Sequence, residues 1–160
     1  MDIEARIHDA LVEIPHEVID CDPELADTAA FCAHYGYPME QSANTIMVAS
    51  RKPEGHHAVC VILATTRLDV NQRVRRLLGV RKVSFAPPDL TAGVTGMMIG
   101  GVTPFGLPDD LPLWIDAAVM DCEWVIVGGG SRSMKVKLAP EHLASLPNAS
   151  VVEGLASPAP

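Results

Sequence analysis

Apolar residues return along this chain with two periods, and the switches between them mark its elements. Ile3, Ile7, Ala10, Leu11 and Ile14 recur every three or four positions. That is the spacing of one helix face, and Pro15 has no N–H to continue it, so the pattern predicts an amphipathic helix over residues 2–13. His16–Asp20 reads as a short strand. Asp27 or Thr28 can cap a second helix through Phe31 and His34, which Gly36 and Pro38 end. The period then shortens. Thr45–Ala49 and Ala58–Ala64 are β-rich runs, and the stretch from Arg51 to His56 between them, with Pro53 and Gly55, resembles a hairpin loop followed by His57. Val70, Val74, Leu77 and Leu78 restore a helical stripe that stops at Gly79.

Arg81–Ala86 reads as a strand, Pro87–Leu90 as the start of a short helix, and Leu113–Asp116 and Trp124–Val127 as further strands. Met134, Val136 and Leu138 alternate with Lys135 and Lys137, the pattern of a half-buried strand. Pro140 opens a last short helix. Strands outnumber helices at spacings too irregular for repeated βαβ units. The expected class is therefore α+β, a single domain over residues 1–155 with a mixed, strongly curved, barrel-like sheet flanked by helices. Residues 156–160 are expected to be a frayed, disordered tail.

Length and composition fit one ordinary soluble domain: 160 residues, of which 48% are apolar and only 4% aromatic, so aliphatic side chains must fill the interior. The apolar runs are far shorter than the roughly 20 residues of a membrane-spanning helix, and the N-terminus lacks the basic start and apolar stretch of a secretory signal. A cytoplasmic location is expected. Cys21, Cys32, Cys60 and Cys122 are widely spaced, with no CxxC pair or nearby histidine cluster, so neither a metal site nor a disulfide framework is indicated. His56 and His57 would point to opposite faces of a strand and are expected to be loop residues instead of metal ligands.

A net charge of -8 argues against strong general attraction to nucleic acid. The distribution changes that picture. Arg67, Arg73, Arg75, Arg76, Arg81 and Lys82 are half of the 12 lysines and arginines and lie in one short segment. They make either a local basic face or a solvated helix surface.

The candidate chemistry lies in Gly96–Gly106, GMMIGGVTPFG. Its glycines allow backbone conformations closed to other residues, and Pro104 stiffens a loop whose N–H groups can converge on an oxygen. The loop has neither GxxxxGK[ST] nor a strand-to-helix setting, so a nucleotide-phosphate loop is not indicated. A purely structural turn remains open.

GGVTPFG resembles the glycine and proline loop of the YbaK-like aminoacyl-tRNA editing-domain family. ADTAAFCAHYG at 26–36, ANTIMVAS at 43–50, RLDVNQRVRRLLGVRKVSFAPPDL at 67–90 and VGGGSRSMKVKLAPEHL at 127–143 fall in that family's order. The resemblance spans nearly the whole chain. It implies a curved sheet flanked by helices and hydrolysis, without metal or other cofactor, of the ester between a wrong amino acid and tRNA. It brings the backbone of Gly100, Gly101, Val102, Thr103 and Pro104 to the aminoacyl carbonyl and terminal adenosine, with Gly100 and Gly101 as catalytic donors.

The resemblance breaks at Asn44. Relatives commonly have a lysine before Thr45, and an asparagine supplies no fixed positive charge. Lys135 is a candidate replacement catalytic cation, or else part of a solvated strand face with Lys137. Asp27, Ser131 and Arg132 complete the candidate substrate contacts, with a helix cap the alternative for Asp27 and a solvated turn for the other two. The expected function is an aminoacyl-tRNA deacylase acting in trans in translation fidelity. Its expected partners are aminoacyl-tRNA and an aminoacyl-tRNA synthetase, not a membrane or DNA. A noncatalytic aminoacyl-binding module and a small amide or ester hydrolase stand as alternatives.

Overall fold

The computed structural model describes residues 2–159. Helix α1 (Ile3–Leu11) starts at Asp2, whose carboxylate accepts the Ala5 N–H at 2.9 Å, and it buries Ile7 and Leu11. Strand β1 (Glu17–Asp20) leads through a 3-10 turn at Pro23–Leu25 to helix α2 (Thr28–Tyr35). Asp27 stands at the cap position of α2 but makes no side-chain capping bond, and Gly36 closes the helix in the left-handed region. The long hairpin is β2 (Ala43–Lys52) and β3 (Glu54–Leu63). The expected loop from Arg51 to His56 shrinks to the turn at Pro53, because ladder pairing continues out to Arg51 and Glu54. His56 and His57 therefore lie in β3 and not in a loop.

Strand β4 (Thr66–Leu68) is followed by a π-helical turn at Val70–Val74 and helix α3 (Arg75–Leu78), then β5 (Lys82–Phe85) and α4 (Pro88–Thr95). The glycine loop links α4 to β6 (Leu113–Asp116), and β7 (Val125–Gly128), β8 (Met134–Leu138), α5 (Glu141–Ala144), β9 (Ala149–Val152) and β10 (Ala156–Pro158) complete the chain.

Among the described residues the strands form a five-stranded sheet in the order β5-β2-β3-β6-β9, a three-stranded sheet β1-β8-β7 and the pair β10-β4. The large sheet is mixed: β5, β2 and β3 run antiparallel, while β6 and β9 add in parallel. The α+β class stands. The single barrel-like sheet is divided, since each strand order is open and, among the described residues, a lone bridge between Ser42 and Ile126 joins the start of β2 to β7.

The main core lies between the two larger sheets, with Val59, Val61 and Ile115 on one side, Val127, Met134 and Val136 on the other, and Ile7, Leu11 and Phe105 closing it. A second core on the opposite face of the large sheet includes Val48, Cys60, Val74 and Leu155. Cys60 is free, and burial pushes its thiol up to about 12, the mark of an unreactive packing residue. The expected tail is corrected by this core. Leu155 is fully buried, the backbone at Leu155 and Ala156 hydrogen-bonds to buried Asp116, and Ala156–Pro158 pairs with β4. Pro160 lies outside the described residues.

Candidate functional site

The two larger sheets do not meet along their whole length, and the gap between them is the site. Strand β5 pairs with β2 only from Val48 onward, and β7 bridges to the residue before β2 at Ser42. The edge of β2 at residues 44–46 is therefore left without a strand neighbour. A cavity of about 500 Å³ opens there. Asn44, Thr45 and Met47 line it from β2, Ala26, Asp27 and Thr28 from the start of α2, Phe85 and Ala86 from the end of β5, Gly100 and Val102 from the glycine loop, and Lys135 from β8.

The glycine loop can form this wall because backbone packs on backbone beneath it. Gly101 donates to the Met98 carbonyl at 2.9 Å and accepts from the Gly130 N–H at 2.7 Å. A Cβ at Gly101 would lie 2.8 Å from the Ser131 carbonyl carbon, and one at Gly128 would run into the Val102 carbonyl. Gly100, at φ +90°, occupies the turn position that favours glycine. The N–H groups of Gly100 and Val102 have no protein acceptor among the described residues, whereas the Gly101 N–H is already used.

Lys135 is the charged group at the bottom of the site. Its register opposite Ile19 puts it on the face of β8 away from the main core, where alternation suggests solvent. That face is covered instead. Helix α2 lays Phe31 and Cys32 over it, leaving Lys135 only 6% exposed, with its Nζ 5.4 Å from the Phe31 ring centroid. The ammonium donates to the Ala26 carbonyl at 2.6 Å, and no carboxylate lies within ion-pair distance of it among the described residues. Desolvation lowers its pKa from the ordinary lysine value. The solvated-face alternative fails for Lys135 and fits Lys137 better, whose ammonium lies over the Trp124 ring and 3.9 Å from Glu17.

Asn44 shares the cavity. Its side-chain oxygen accepts from the Thr28 hydroxyl at 2.6 Å, and the neighbouring Thr45 Oγ1 is buried with no partner among the described residues. Arg132 braces the rim. Its guanidinium donates to the Pro23 and Ile99 carbonyls at 3.0 and 3.3 Å and meets the Asp27 carboxylate at 3.4 Å.

Of the residues singled out from sequence, Asp27, Asn44, Thr45, Gly100, Val102 and Lys135 come together in the cavity. The others do not line it. Gly101 packs behind the wall, Thr103 and Pro104 are buried on the far side of the loop, and Ser131 donates to Glu4 of α1 at 2.6 Å, facing away from the cavity. Arg132 stands at the rim, where protein oxygens hold its Nε and one terminal nitrogen. Sequence reasoning missed Thr28, Phe85, Ile99, Thr91 and Gly128 as lining residues. Phe85, an aromatic at a strand end and 55% exposed, is the one whose character offers a signal.

The aminoacyl-tRNA editing-domain model matches residues 22–146. The chain belongs to that family. The matched span includes every residue named above as lining the cavity. Among relatives of this editing domain, the chain is 29% identical over 114 residues to the "Uncharacterized protein YwhH" of Bacillus subtilis (strain 168), covering 66% of this chain and 72% of that protein. It is 30% identical over 95 residues to the "Putative Cys-tRNA(Pro)/Cys-tRNA(Cys) deacylase EbsC" of Enterococcus faecalis (strain ATCC 700802 / V583), covering 59% of this chain and 57% of that protein.

Two solved structures superpose over nearly the full length. A "putative trans-editing enzyme for prolyl tRNA synthetase" gives a TM-score of 0.81 at 21% identity, covering 96% of each chain. The "hypothetical protein APE2540" gives 0.84 at 21% identity, covering 95% of this chain and 99% of that one. At such identity the likeness speaks for the fold.

Proposed function

We propose that this editing domain hydrolyses the ester of mischarged aminoacyl-tRNA in trans, with Lys135 supplying the positive charge that Asn44 does not. The observation that carries the reading is the buried ammonium of Lys135, committed to a single carbonyl and lining the same cavity as Gly100 and Val102, whose N–H groups have no protein acceptor among the described residues. In the reaction, water adds to the ester carbonyl carbon, charge gathers on the carbonyl oxygen, and the bond to the ribose oxygen breaks as that oxygen takes the proton. Fixed donors in a site of low dielectric stabilise such charge without having to reorganise. The free hydrogens of Lys135 and the Gly100 and Val102 N–H groups are those donors. The cavity-lining carboxylate of Asp27 attracts the substrate's α-ammonium, and Thr45 Oγ1 gains the hydrogen bond it lacks.

A deacylation screen over a panel of mischarged tRNAs tests this reading. Activity on one or more supports it. Failure on all of them leaves the aminoacyl-binding module or the small amide or ester hydrolase. The reading also places the protein in the cytoplasm, with a synthetase as the source of its substrate. It requires no metal or organic cofactor, so turnover is expected to be unchanged by EDTA. Among the described residues, no three His, Cys, Asp or Glu side chains are grouped to hold an ion. Loss on chelation with recovery on added zinc would refute that part.

Asn44 separates a displaced charge from a lost one. With Lys135 in the same cavity, Asn44→Lys adds a like charge and breaks the bond from Thr28, so activity is expected to fall. Asn44→Ala loses only the neutral hydrogen bond, an effect of about 0.5–1.5 kcal/mol on kcat/KM. A rise in deacylation for Asn44→Lys would show that the wild-type site lacks its cation.

A further inference from the structure

The leaving group of the proposed reaction is the end of a nucleic-acid strand, and that strand must cross the rim of the cavity. The rim is not uniform. On one side the segment before α2 exposes Asp22, Glu24 and Asp27, which repel phosphate. On the other, Phe85 is 55% exposed although Val83, two residues earlier, is buried in the second core. Phe85 therefore keeps an aromatic surface open where the packing of β5 does not require one. Across the mouth Ile99, also lining the cavity, is 54% exposed.

Phe85 lines a second depression as well, of about 590 Å³, together with Arg67, Asp69, Asn71, Ser84 and Ser157. Phe85 is the residue the two hollows share. In the second hollow Arg67 is exposed, with no carboxylate in ion-pair range among the described residues. The one acidic residue lining it, Asp69, accepts from the Gln72 N–H at 3.2 Å. Arg76, Arg81 and Lys82 are exposed on the same segment. An aromatic face beside an exposed arginine is an arrangement that binds single-stranded nucleic acid, the ring stacking a base and the cation meeting the backbone.

The geometry points to a path for the unpaired 3′ strand of the RNA: its terminal base stacks on Phe85, and the phosphate of the preceding nucleotide lies against Arg67 in the second hollow. This assignment rests on the deacylase reading above and adds residues that bind the polynucleotide but take no part in ester cleavage. Both side chains are exposed, so their replacement leaves the cores untouched.

The test compares hydrolysis of an aminoacyl-tRNA with that of the ethyl ester of the same amino acid, which has no nucleotides, for the full chain and for Phe85→Ala, Phe85→Tyr and Arg67→Glu. Phe85→Ala and Arg67→Glu are expected to raise KM for the aminoacyl-tRNA about tenfold with little change in kcat, Arg67→Glu to leave ester hydrolysis within about twofold, and Phe85→Tyr to retain wild-type KM. Arg67→Glu is also expected to flatten the slope of log affinity against log salt by about 0.7 or more. An active enzyme with unchanged KM in both variants overturns the path and leaves the deacylase reading intact. Equal losses on ester and tRNA likewise overturn it, because Phe85 then belongs to the amino-acid pocket. If the wild type hydrolyses neither substrate, the deacylase reading fails. The path is then judged on a short RNA oligonucleotide ending in CCA: weaker binding by both variants upholds it and equal binding removes it.

Discussion

Replacing Lys135 with methionine is expected to lower single-turnover deacylation by two to three orders of magnitude while leaving the protein at least as stable as the wild type. The loss of rate follows from the position of the ammonium. It lies 6% exposed in the cavity, with one hydrogen bond to Ala26. Removing one fixed donor from a developing oxyanion costs about 3–4 kcal/mol in sites that use it so. The stability follows from the same burial. Desolvation lowers the pKa of Lys135, so the folded protein binds fewer protons than the unfolded chain between that lowered value and the ordinary 10.5. Wild-type stability therefore gains as pH rises through this window, and below it the folded state bears the full cost of a buried ammonium.

Methionine fills similar volume without that cost, offset by about 1 kcal/mol for the Ala26 carbonyl left unpaired. Thermal melts across pH check the stability, with the variant losing the wild type's alkaline gain. Deacylation by the wild type should fall as pH rises through the lowered pKa. Full activity in the methionine variant would remove Lys135 from the chemistry.

Gly101→Val is expected to destabilise the whole domain by about 3 kcal/mol, lowering the melting temperature by about 6–12 °C. The packing beneath the loop sets this cost. A Cβ at Gly101 would lie 2.8 to 3.0 Å from three backbone atoms of Ser131, and backbone cannot swing aside as a side-chain tip can. The strain falls on the hydrogen bond from Gly130 to Gly101 that holds the cavity wall to the end of β7. Gly93 is the internal control: it sits in α4 with φ negative and nothing within 4 Å of an added Cβ, so Gly93→Ala should raise stability by about 0.5–1 kcal/mol. A Gly101→Val protein that melts with the wild type would show that the loop does not rest on residues 128–131.

The elements were legible wherever one residue's local effect decides them. The stripe of Ile3, Ile7, Ala10 and Leu11 with Pro15 beyond it bounds α1, and glycines that take positive φ end α2 and α3. The alternation from Met134 to Leu138 separates the two faces of β8. The hairpin loop was misjudged because Pro53 and Gly55 are turn formers by local preference, yet register pairing carries β3 out to Glu54. The tail was misjudged because a short run of small residues and prolines gives no sign that Leu155 plugs a core built mostly by residues 48–83.

What the sequence by itself determined is the composition of the site: a loop of glycines, an asparagine before Thr45, and a lysine on a strand of strict alternation. These depend on identity and local spacing, which are written in the chain. Only the tertiary structure decided that Lys135 is a buried cation and Lys137 a surface one, because burial depends on what covers a face and α2, a hundred residues away, covers Lys135. Tertiary packing likewise turned Ser131 toward α1, committed Arg132 to carbonyl oxygens and left the edge of β2 open beside Phe85. Alternation names two faces of a strand. Which of them meets water is settled by long-range contacts, and no periodicity in the chain records those.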